Sequence, residues 1–460
     1  MQLSDNMKIF LASFLLAGTL SATAQTNDKP TIDLIYKNAL SSKTAYQNLQ
    51  ELCAKAPGRL VGSPQSEIAI KLLKAKVDEI HPDSSYLQAF NTISWRPKTP
   101  AQAILKYKGK TTGLNVTYLG LSGSTPVAGV EAGVLEIQRM TQLDSLGEEK
   151  VKGKIVFFNR PMNNGFVNTF EAYGDAIDQR SIGATKASKL GAVGVLVRSL
   201  ATELDDYPHS GVSKYRDGVK EIPNFAISTN DAEKLSAVLK SGGSPKVFLK
   251  GTTEKLDNVH TANVIAELRG SEHPEKIILI GGHMDAWFNT PGAHDDGAGC
   301  VQMMDVLRIF RELHIKPKNT IRLVLFMDEE MYQSGGKAYA DLVGKENKQH
   351  IACIESDAGA ALPTGFELKG SEANLKNLKN VSQQLSDFGV FEIIPGYGGV
   401  DIDPLKKYGF PLIGLLSSSQ RYFEYHHSAN DTPDKVSRRE MQMGTASVAS
   451  LVYLIDKYGL

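Results

Sequence analysis

The fold class of this chain is indicated most clearly by the stretch Lys276-Ile277-Ile278-Leu279-Ile280-Gly281-Gly282-His283-Met284-Asp285, in which a nearly continuous apolar run ends in polar residues. Such a run is expected of a strand in a sheet that is covered on both faces. Apolar residues at helical spacing follow it, at Cys300, Met304, Leu307 and Phe310. A strand followed by a loop and a helix predicts an α/β fold.

Three further apolar strands repeat this pattern and run into acidic residues or histidines. They are predicted at Ile321–Met327, Ile351–Ile354 and Phe410–Leu416. The polar groups that accompany the four strands are His283-Met284-Asp285, Gly292-Ala293-His294-Asp295-Asp296-Gly297-Ala298-Gly299, Asp328-Glu329-Glu330, Glu355-Ser356-Asp357 and Tyr425-His426-His427-Ser428. Ligands of open α/β sheets bind beyond the carboxyl ends of the strands, so we expect these groups around one crevice.

The composition of these groups predicts a metal site. A single Asp-Asp or Glu-Glu pair is usually solvated surface, and a single histidine beside a strand is usually structural. Here every predicted strand of the region ends in such a group, and buried carboxylates without cations would be costly. A mixed set of histidines and carboxylates suits zinc, with an open coordination position for water.

The spacing of the residues suggests separate roles for them. His283 and Asp285 lie two apart and share one face of a strand, so Asp285 can accept a hydrogen bond from the non-liganding nitrogen of His283. Asp295 lies in a glycine-rich turn, where its two oxygens could bridge two ions. Glu329 and Glu330 are adjacent, so on a strand they would point in opposite directions, and one could bind metal while the other acts on the water.

The composition limits the classes of partner. A length of 460 residues suggests two domains, one of them inserted in the other. Lys+Arg and Asp+Glu are both 51, so no basic excess indicates nucleic acid or an anionic membrane as a partner. The odd number of cysteines (Cys53, Cys300 and Cys353) leaves pairing open, and we interpret them as small buried hydrophobic residues.

The first 24 residues are typical of a secretory signal peptide. Lys8 precedes the apolar run Ile9–Leu20, which ends at the small residues Ala22-Thr23-Ala24. The run is short for a membrane span, and the alternative is a buried N-terminal helix. We therefore expect a secreted or periplasmic protein that has no stable membrane insertion once the segment 1–24 is removed.

Residues 101–255 differ in texture from the region that follows. Short strands at Val151–Phe158, Ala192–Val197 and Ile222–Ser228 alternate with helices at Ala184–Leu190 and Ala232–Leu239. This alternation predicts a compact accessory module. The predicted division is a signal peptide at 1–24, catalytic segments at 25–100 and 256–460, and the accessory module at 101–255 between them.

The ordered motifs resemble those of the zinc exopeptidase family that includes bacterial leucyl aminopeptidases, glutamate carboxypeptidase and the transferrin receptor ectodomain. The family order is His-x-Asp, Gly-x-x-Asp-Asp/Asn-x-x-Gly, Glu-Glu, Asp and a late His-Ser/Thr. It is matched by His283/Asp285, Gly292–Gly299, Glu329-Glu330, Asp357 and His427-Ser428. The similarity extends to a carboxypeptidase branch of the family over nearly the whole mature chain.

This resemblance implies two zinc ions, one bound by His283, Asp295 and Asp357, the other by Asp295, Glu330 and His427. Glu329 would be the general base and Asp285 a supporting catalytic residue. His427 is preferred over His426 as the ligand because the family ligand directly precedes Ser or Thr. The role of Tyr397, which stands where family aminopeptidases often place an oxyanion donor, stays open.

The resemblance also implies a mixed, mainly parallel sheet flanked by helices, with a protease-associated domain inserted beside the active-site mouth, and a homodimer. The expected function is hydrolysis of dipeptides or short peptides at a free terminus. One alternative is an aminopeptidase of longer peptides. The other is a binding protein that has lost catalysis, which the presence of all five ligands and the base argues against.

Overall fold

The computed structural model describes residues 28–460, so the predicted signal peptide lies outside it. This described part of the chain contains sixteen strands: β1 Ser84–Pro97, β2 Gln102–Tyr107, β3 Lys110–Leu114, β4 Val116–Tyr118, β5 Val130–Ile137, β6 Ile155–Phe158, β7 Gly194–Arg198, β8 Asn224–Ile227, β9 Lys246–Lys250, β10 Thr253–Leu268, β11 His273–His283, β12 Asn319–Phe326, β13 Gln349–Glu355, β14 Pro363–Lys369, β15 Glu392–Pro395 and β16 Leu412–Ser417. The α-helices are α1 Lys29–Ser41, α2 Thr44–Lys55, α3 Pro64–Asp78, α4 Met140–Val151, α5 Thr169–Ala176, α6 Asp178–Ser181, α7 Gly183–Lys189, α8 Thr229–Lys240, α9 Ala298–Glu312, α10 Ser334–Val343, α11 Glu372–Ser382, α12 Tyr422–Tyr425 and α13 Arg438–Tyr458.

The first sheet has the strand order β1-β10-β12-β11-β13-β16-β14-β15. Its centre consists of β12, β11, β13 and β16, which are the four strands predicted from the apolar runs, and they are mutually parallel. Antiparallel pairs flank this centre at β10 and β14, so the sheet is mixed and mainly parallel, as predicted. The parallel arrangement brings the carboxyl ends of all four predicted strands to one edge.

The apolar run of β11 is buried on both sides of the first sheet. Ile278 and Ile280 pack in the core cluster that contains residues of α9 and α13, whereas Ile277 and Leu279 pack with residues of α10. All four side chains are fully buried. Burial of each side chain stabilises the fold by about 1.5–3 kcal/mol, which explains why the run contains no polar position.

The second sheet is formed by strands between residues 102 and 250, in the order β3-β2-β9-β5-β6-β7-β8-β4. Strands β5, β6, β7 and β8 are parallel and have their own core clusters. The prediction of a strand from Val151 was wrong at its start, because Val151 ends helix α4. Gly153, at φ +72°, makes the turn after the helix, and the strand begins at Ile155.

The long antiparallel pair of β1 and β10 connects the two sheets in sequence. It extends from Ser84 opposite Glu267 to Pro97 opposite Thr253, directly beside the chain that enters and leaves the second sheet. All three cysteines are free and buried. Between residues 28 and 460, no helix combines the length and apolar character needed to cross a membrane.

Candidate metal centre

The carboxyl edge of the first sheet brings the predicted site residues together. His283 is the last residue of β11, Glu329 and Glu330 follow β12, Asp357 follows β13, and His427 follows the short helix α12. The side chains of Glu329 and Asp357 are 14% and 18% exposed and face a cleft. The other residues of this set are buried. The structure therefore brings the residues that were predicted at the strand ends into one cluster.

Asp295 lies at the middle of this cluster, with one carboxylate oxygen toward each histidine. Its Oδ1 is 3.2 Å from Nε2 of His283, and its Oδ2 is 3.0 Å from Nε2 of His427. Nε2 of His283 is also 3.3 Å from Oδ1 of Asp357, and Nε2 of His427 is 3.1 Å from Oε2 of Glu330. The two predicted ligand sets thus form two groups that share Asp295.

The loop that carries Asp295 depends on glycine at both ends. Gly292 has φ +62°, a left-handed conformation that favours glycine. A Cβ atom at Gly299 would lie 2.1 Å from the carbonyl oxygen of Ser356, so a side chain there would push the loop away from β13. These glycines hold the backbone of the loop against the strand ends. The peptide bond between Asp295 and Asp296 is cis.

Asp285 supports the acidic pair that follows β12. Its Oδ1 accepts hydrogen bonds from the backbone N–H groups of Asp328 and Glu329, at 3.0 and 3.2 Å, and its Oδ2 accepts one from Glu330 at 3.3 Å. The predicted partner, Nδ1 of His283, lies 3.6 Å from Oδ1, which is longer than a hydrogen bond. Asp285 therefore fixes the direction of Glu329 and Glu330 more directly than that of His283.

Two further residues compete as metal ligands on geometry alone. The clusters whose ligand atoms lie within 4.8 Å of one another are Asp295 with His426 and His427, and His283 with Asp296 and Asp357. Asp296, however, already accepts hydrogen bonds from the N–H of His283 and of Gly299, both at 3.0 Å. A carboxylate held by two amides supports the loop, so Asp295 is the better ligand candidate of the pair.

Three buried carboxylates of the site had no role assigned from the sequence, and two of them, Asp431 and Asp401, were not predicted there at all. Asp431 accepts hydrogen bonds from the N–H groups of His294 and Asp295, at 2.7 and 3.1 Å, and so orients the bridging residue. Glu355 accepts three backbone N–H groups of residues 400–402. Asp401 is fully buried, and neither of its oxygens has a hydrogen-bond partner among the described residues.

Burial and the closeness of several carboxylates shift the pKa values of the groups in the cluster. Burial raises the pKa of Glu329 well above its usual range and also raises the pKa values of Glu330 and Asp357. Burial lowers the pKa of His427, but the carboxylates of Glu330 and Asp295 outweigh it and raise this pKa to about 9. The cluster thus draws positive charge toward itself.

The donor set fits a divalent cation. Oδ2 of Asp295 and Oε1 of Glu330 are buried and accept no aligned hydrogen bond from residues 28–460, although Oδ2 of Asp295 lies 3.0 Å from Nε2 of His427. Nδ1 of His427 lies 3.3 Å from the carbonyl oxygen of Ser210, an arrangement that leaves Nε2 free to bind metal. Nitrogen and oxygen atoms that converge without pairing are expected around a cation.

A cleft of about 680 Å³ opens onto the cluster. The first sheet contributes Glu329, Glu330, Asp357 and His427 to its lining, and the second-sheet region contributes residues such as Tyr173 and Arg180. The volume lies in the range of small-molecule sites. Substrate in this cleft would contact both the acidic cluster and the second-sheet region.

A histidine–carboxylate cluster at the carboxyl edge of a parallel sheet, open to such a cleft, defines a metallohydrolase-like centre. A sequence model of Peptidase family M28 matches residues 263–452. Carboxypeptidase Q from Bos taurus is 30% identical over 411 residues, which cover 89% of this chain and 85% of that protein. The chain belongs to Peptidase family M28, and the predicted family resemblance is confirmed.

Other relatives agree with this membership. Carboxypeptidase Q from Xenopus laevis is 31% identical over 407 residues, which cover 88% of this chain and 84% of that protein. The crystal structure of a Peptidase M28 precursor from Shewanella amazonensis is similar, with a TM-score of 0.89 and 30% identity over 93% of this chain and 96% of that chain. The zinc aminopeptidase BSAP from Bacillus subtilis shares the fold, with a TM-score of 0.63 and 18% identity over 89% of this chain and 94% of that chain.

Proposed function

We propose that the chain is a dinuclear zinc exopeptidase that hydrolyses dipeptides or short peptides. The observation that carries this proposal is the position of Asp295, whose two oxygens face two separate histidines. In this proposal one zinc is held by His283, Asp295 and Asp357, and the other by Asp295, Glu330 and His427. Zinc, when bound, acidifies a water molecule and polarises the carbonyl group of the substrate.

Glu329 serves as the general base in this proposal. Its Oε2 lies 4.0 Å from Nε2 of His283, and its side chain lines the cleft. Asp285 holds the backbone N–H of Glu329 and so directs the carboxylate into the cleft. Glu329 takes a proton from the attacking water and returns it to the amine that leaves.

Arg180 supports recognition of a free carboxyl terminus. Its side chain lines the cleft, and its residue is only 5% exposed. The guanidinium donates to the hydroxyl of Tyr173 and, at 3.4 Å, to the carbonyl oxygen of Ser210. Within residues 28–460 it has no carboxylate partner, and its Nε has no hydrogen-bond partner. A buried cation in a peptide-sized cleft is suited to a substrate carboxylate.

Three further proposals concern export, domain organisation and oligomeric state. We propose export with cleavage after Ala24, an inserted protease-associated domain at about 101–255 and a homodimer. N-terminal sequencing of the extracytoplasmic protein tests the first, and a chain that still begins at Met1 or Met7 contradicts it. Light scattering tests the third, and a monomer mass across micromolar concentrations contradicts it.

A peptide-library digest tests the proposed function directly. Each peptide is offered in forms with free termini, with a blocked amino terminus and with a blocked carboxyl terminus, and products are identified by mass spectrometry. We expect cleavage of dipeptides and short peptides and a large loss when the carboxyl terminus is amidated. Efficient cleavage of long amidated peptides from the amino terminus would instead support the aminopeptidase alternative. No cleavage by zinc-loaded protein would support the inactive binding protein.

A further inference from the structure

His426 is a cleft residue without a role in the two proposed ligand sets. Its ring stacks on that of His427, with the ring centres 3.5 Å apart and the planes 23° from parallel. Its side chain lines the cleft, where its Nε2 lies 3.6 Å from Oδ2 of Asp295. A second imidazole held this close to the reacting region needs an explanation.

The contacts of the two histidines differ in a way that separates their functions. Nε2 of His427 lies within 3.1 Å of oxygens from two carboxylates, and its Nδ1 faces the carbonyl oxygen of Ser210. Nε2 of His426 lies near one carboxylate only, beyond hydrogen-bond length, and its Nδ1 has no partner among the described residues. His427 has the surroundings of a metal ligand. The surroundings of His426 leave its ring nitrogens free.

The surroundings of His426 favour the tautomer that carries its hydrogen on Nε2. Its ring is packed among aromatic rings, with centres 5.2 Å away for both Tyr422 and Phe423 and 5.5 Å away for Tyr173. A buried N–H at Nδ1 would lack an acceptor in the described part of the chain, and buried side-chain donors without a hydrogen-bond partner are rare. A hydrogen on Nε2 would instead point into the acidic cleft, where the carboxylate of Asp295 is too far away to accept a hydrogen bond from it.

We propose that Nε2–H of His426 donates a hydrogen bond to the carbonyl oxygen of the scissile peptide bond as that oxygen becomes negative. This inference rests on the proposed peptidase function. As the water oxygen bonds to the carbonyl carbon, the π electrons move to the carbonyl oxygen and one water proton passes to Glu329. The carbonyl then re-forms, the C–N bond breaks, and the amine nitrogen takes the proton from Glu329. His426 keeps its proton throughout and stabilises the oxyanion.

Tyr422 is the main competing donor. It lines the same cleft, and its ring lies beside that of His426. Tyr397 is less suitable, because its side chain is outside the cleft lining and the residue is 47% exposed. The variant Tyr422→Phe therefore serves as the matched comparison, since it removes one hydroxyl and keeps the ring.

The experiment compares His426→Phe, His426→Gln, Tyr422→Phe and His427→Phe. Zinc content, melting temperature, dipeptide kinetics and affinity for a phosphinate dipeptide, which mimics the tetrahedral state, are measured for each. We expect His426→Phe to keep wild-type zinc content and KM while kcat falls by about 10²–10³-fold, the usual effect of removing one oxyanion donor. Phosphinate affinity should fall in parallel. His426→Gln, which retains an N–H donor, should recover part of kcat, and His427→Phe should lose zinc.

Three results would overturn the inference. If His426→Phe and His426→Gln both lose zinc, His426 is a ligand. If folded His426→Phe keeps full turnover, no donor is needed there. If Tyr422→Phe carries the loss of kcat and of phosphinate affinity, the tyrosine is the donor. A wild-type protein that binds zinc but cleaves no dipeptide would instead refute the proposed function, so the two failures are distinguishable.

Discussion

The two sheets of the molecule both place polar side chains beyond parallel strands, but they balance the charge differently. In the second sheet, Arg198 at the end of β7 bonds to Glu233 and Asn159, at 2.6 and 3.2 Å. Arg160, which follows β6, pairs with Asp178. Each of these cations therefore has a carboxylate of its own.

The first sheet has no such balance at the corresponding edge. The carboxylates of Asp295, Glu329, Glu330 and Asp357 converge there on two histidines, and some of the buried oxygens receive no aligned hydrogen bond from the described residues. A buried network whose charges cancel is explained by the protein alone. A network in which carboxylates outnumber the cations of the protein is suited to bind a cation from outside. The contrast between the two edges thus distinguishes a structural cluster from a functional one.

The largest expected effect comes from removing the residue shared by both histidine groups. Asp295→Ala should lose both zinc ions, because each would lose a common ligand, and turnover should fall below that of every other variant. Zinc content after gel filtration, measured by elemental mass spectrometry, checks this. If Asp295→Ala still binds two zinc ions tightly, Asp295 does not bridge them. If Asp296→Ala loses both zinc ions while Asp295→Ala keeps them, Asp296 is the bridging ligand.

The next effect separates the two adjacent glutamates. Glu329→Gln should keep both zinc ions and near-normal substrate affinity, while turnover falls by about 10²–10⁴-fold because the base is lost. Glu330→Gln, as the matched variant, should weaken binding of one zinc. Turnover and zinc content of both proteins are the measurements. Metal loss in Glu329→Gln alone would mean that the two roles are exchanged, and full turnover with both metals bound would exclude Glu329 as the base.

A smaller effect is expected at Arg180, the cleft arginine for which residues 28–460 provide no carboxylate partner. Arg180→Gln should raise KM for dipeptides by about 10–100-fold, because a charge-assisted hydrogen bond of about 1.5–3 kcal/mol is lost. Dipeptides amidated at the carboxyl terminus should show little difference between the variant and wild type. An equal loss on both substrates would assign Arg180 to packing and not to carboxylate recognition.

The smallest effect on activity is expected at Arg198, whose charge is already paired. Arg198→Met should leave zinc content and dipeptide KM unchanged, and should lower the free energy of unfolding by about 1–3 kcal/mol, because the buried side chain of Asn159 loses a donor. Chemical denaturation and kinetics of the variant test this. A loss of zinc or a raised KM would show that the second sheet's polar cluster is coupled to the site.

The sequence predicted the parts of the site that depend on strand ends. His283, Glu329, Glu330 and Asp357 follow apolar runs, and parallel pairing necessarily brings such residues together. Asp431 and Arg180 were missed because each lies far along the chain from the cleft residues beside which the fold places it. Asp431 lies 136 residues from Asp295, and Arg180 belongs to the second-sheet region. Neither residue has a periodic or spacing signal that points to the cleft.

Whether Asp295 bridges two zinc ions is tested most directly by a crystal structure of the zinc-loaded protein with anomalous diffraction measured at the zinc absorption edge. We expect two anomalous peaks, one on each side of the Asp295 carboxylate. One should lie beside His283 and Asp357, and the other beside Glu330 and His427. A single peak, or a peak bound by His426 or Asp296 in place of these ligands, would contradict it.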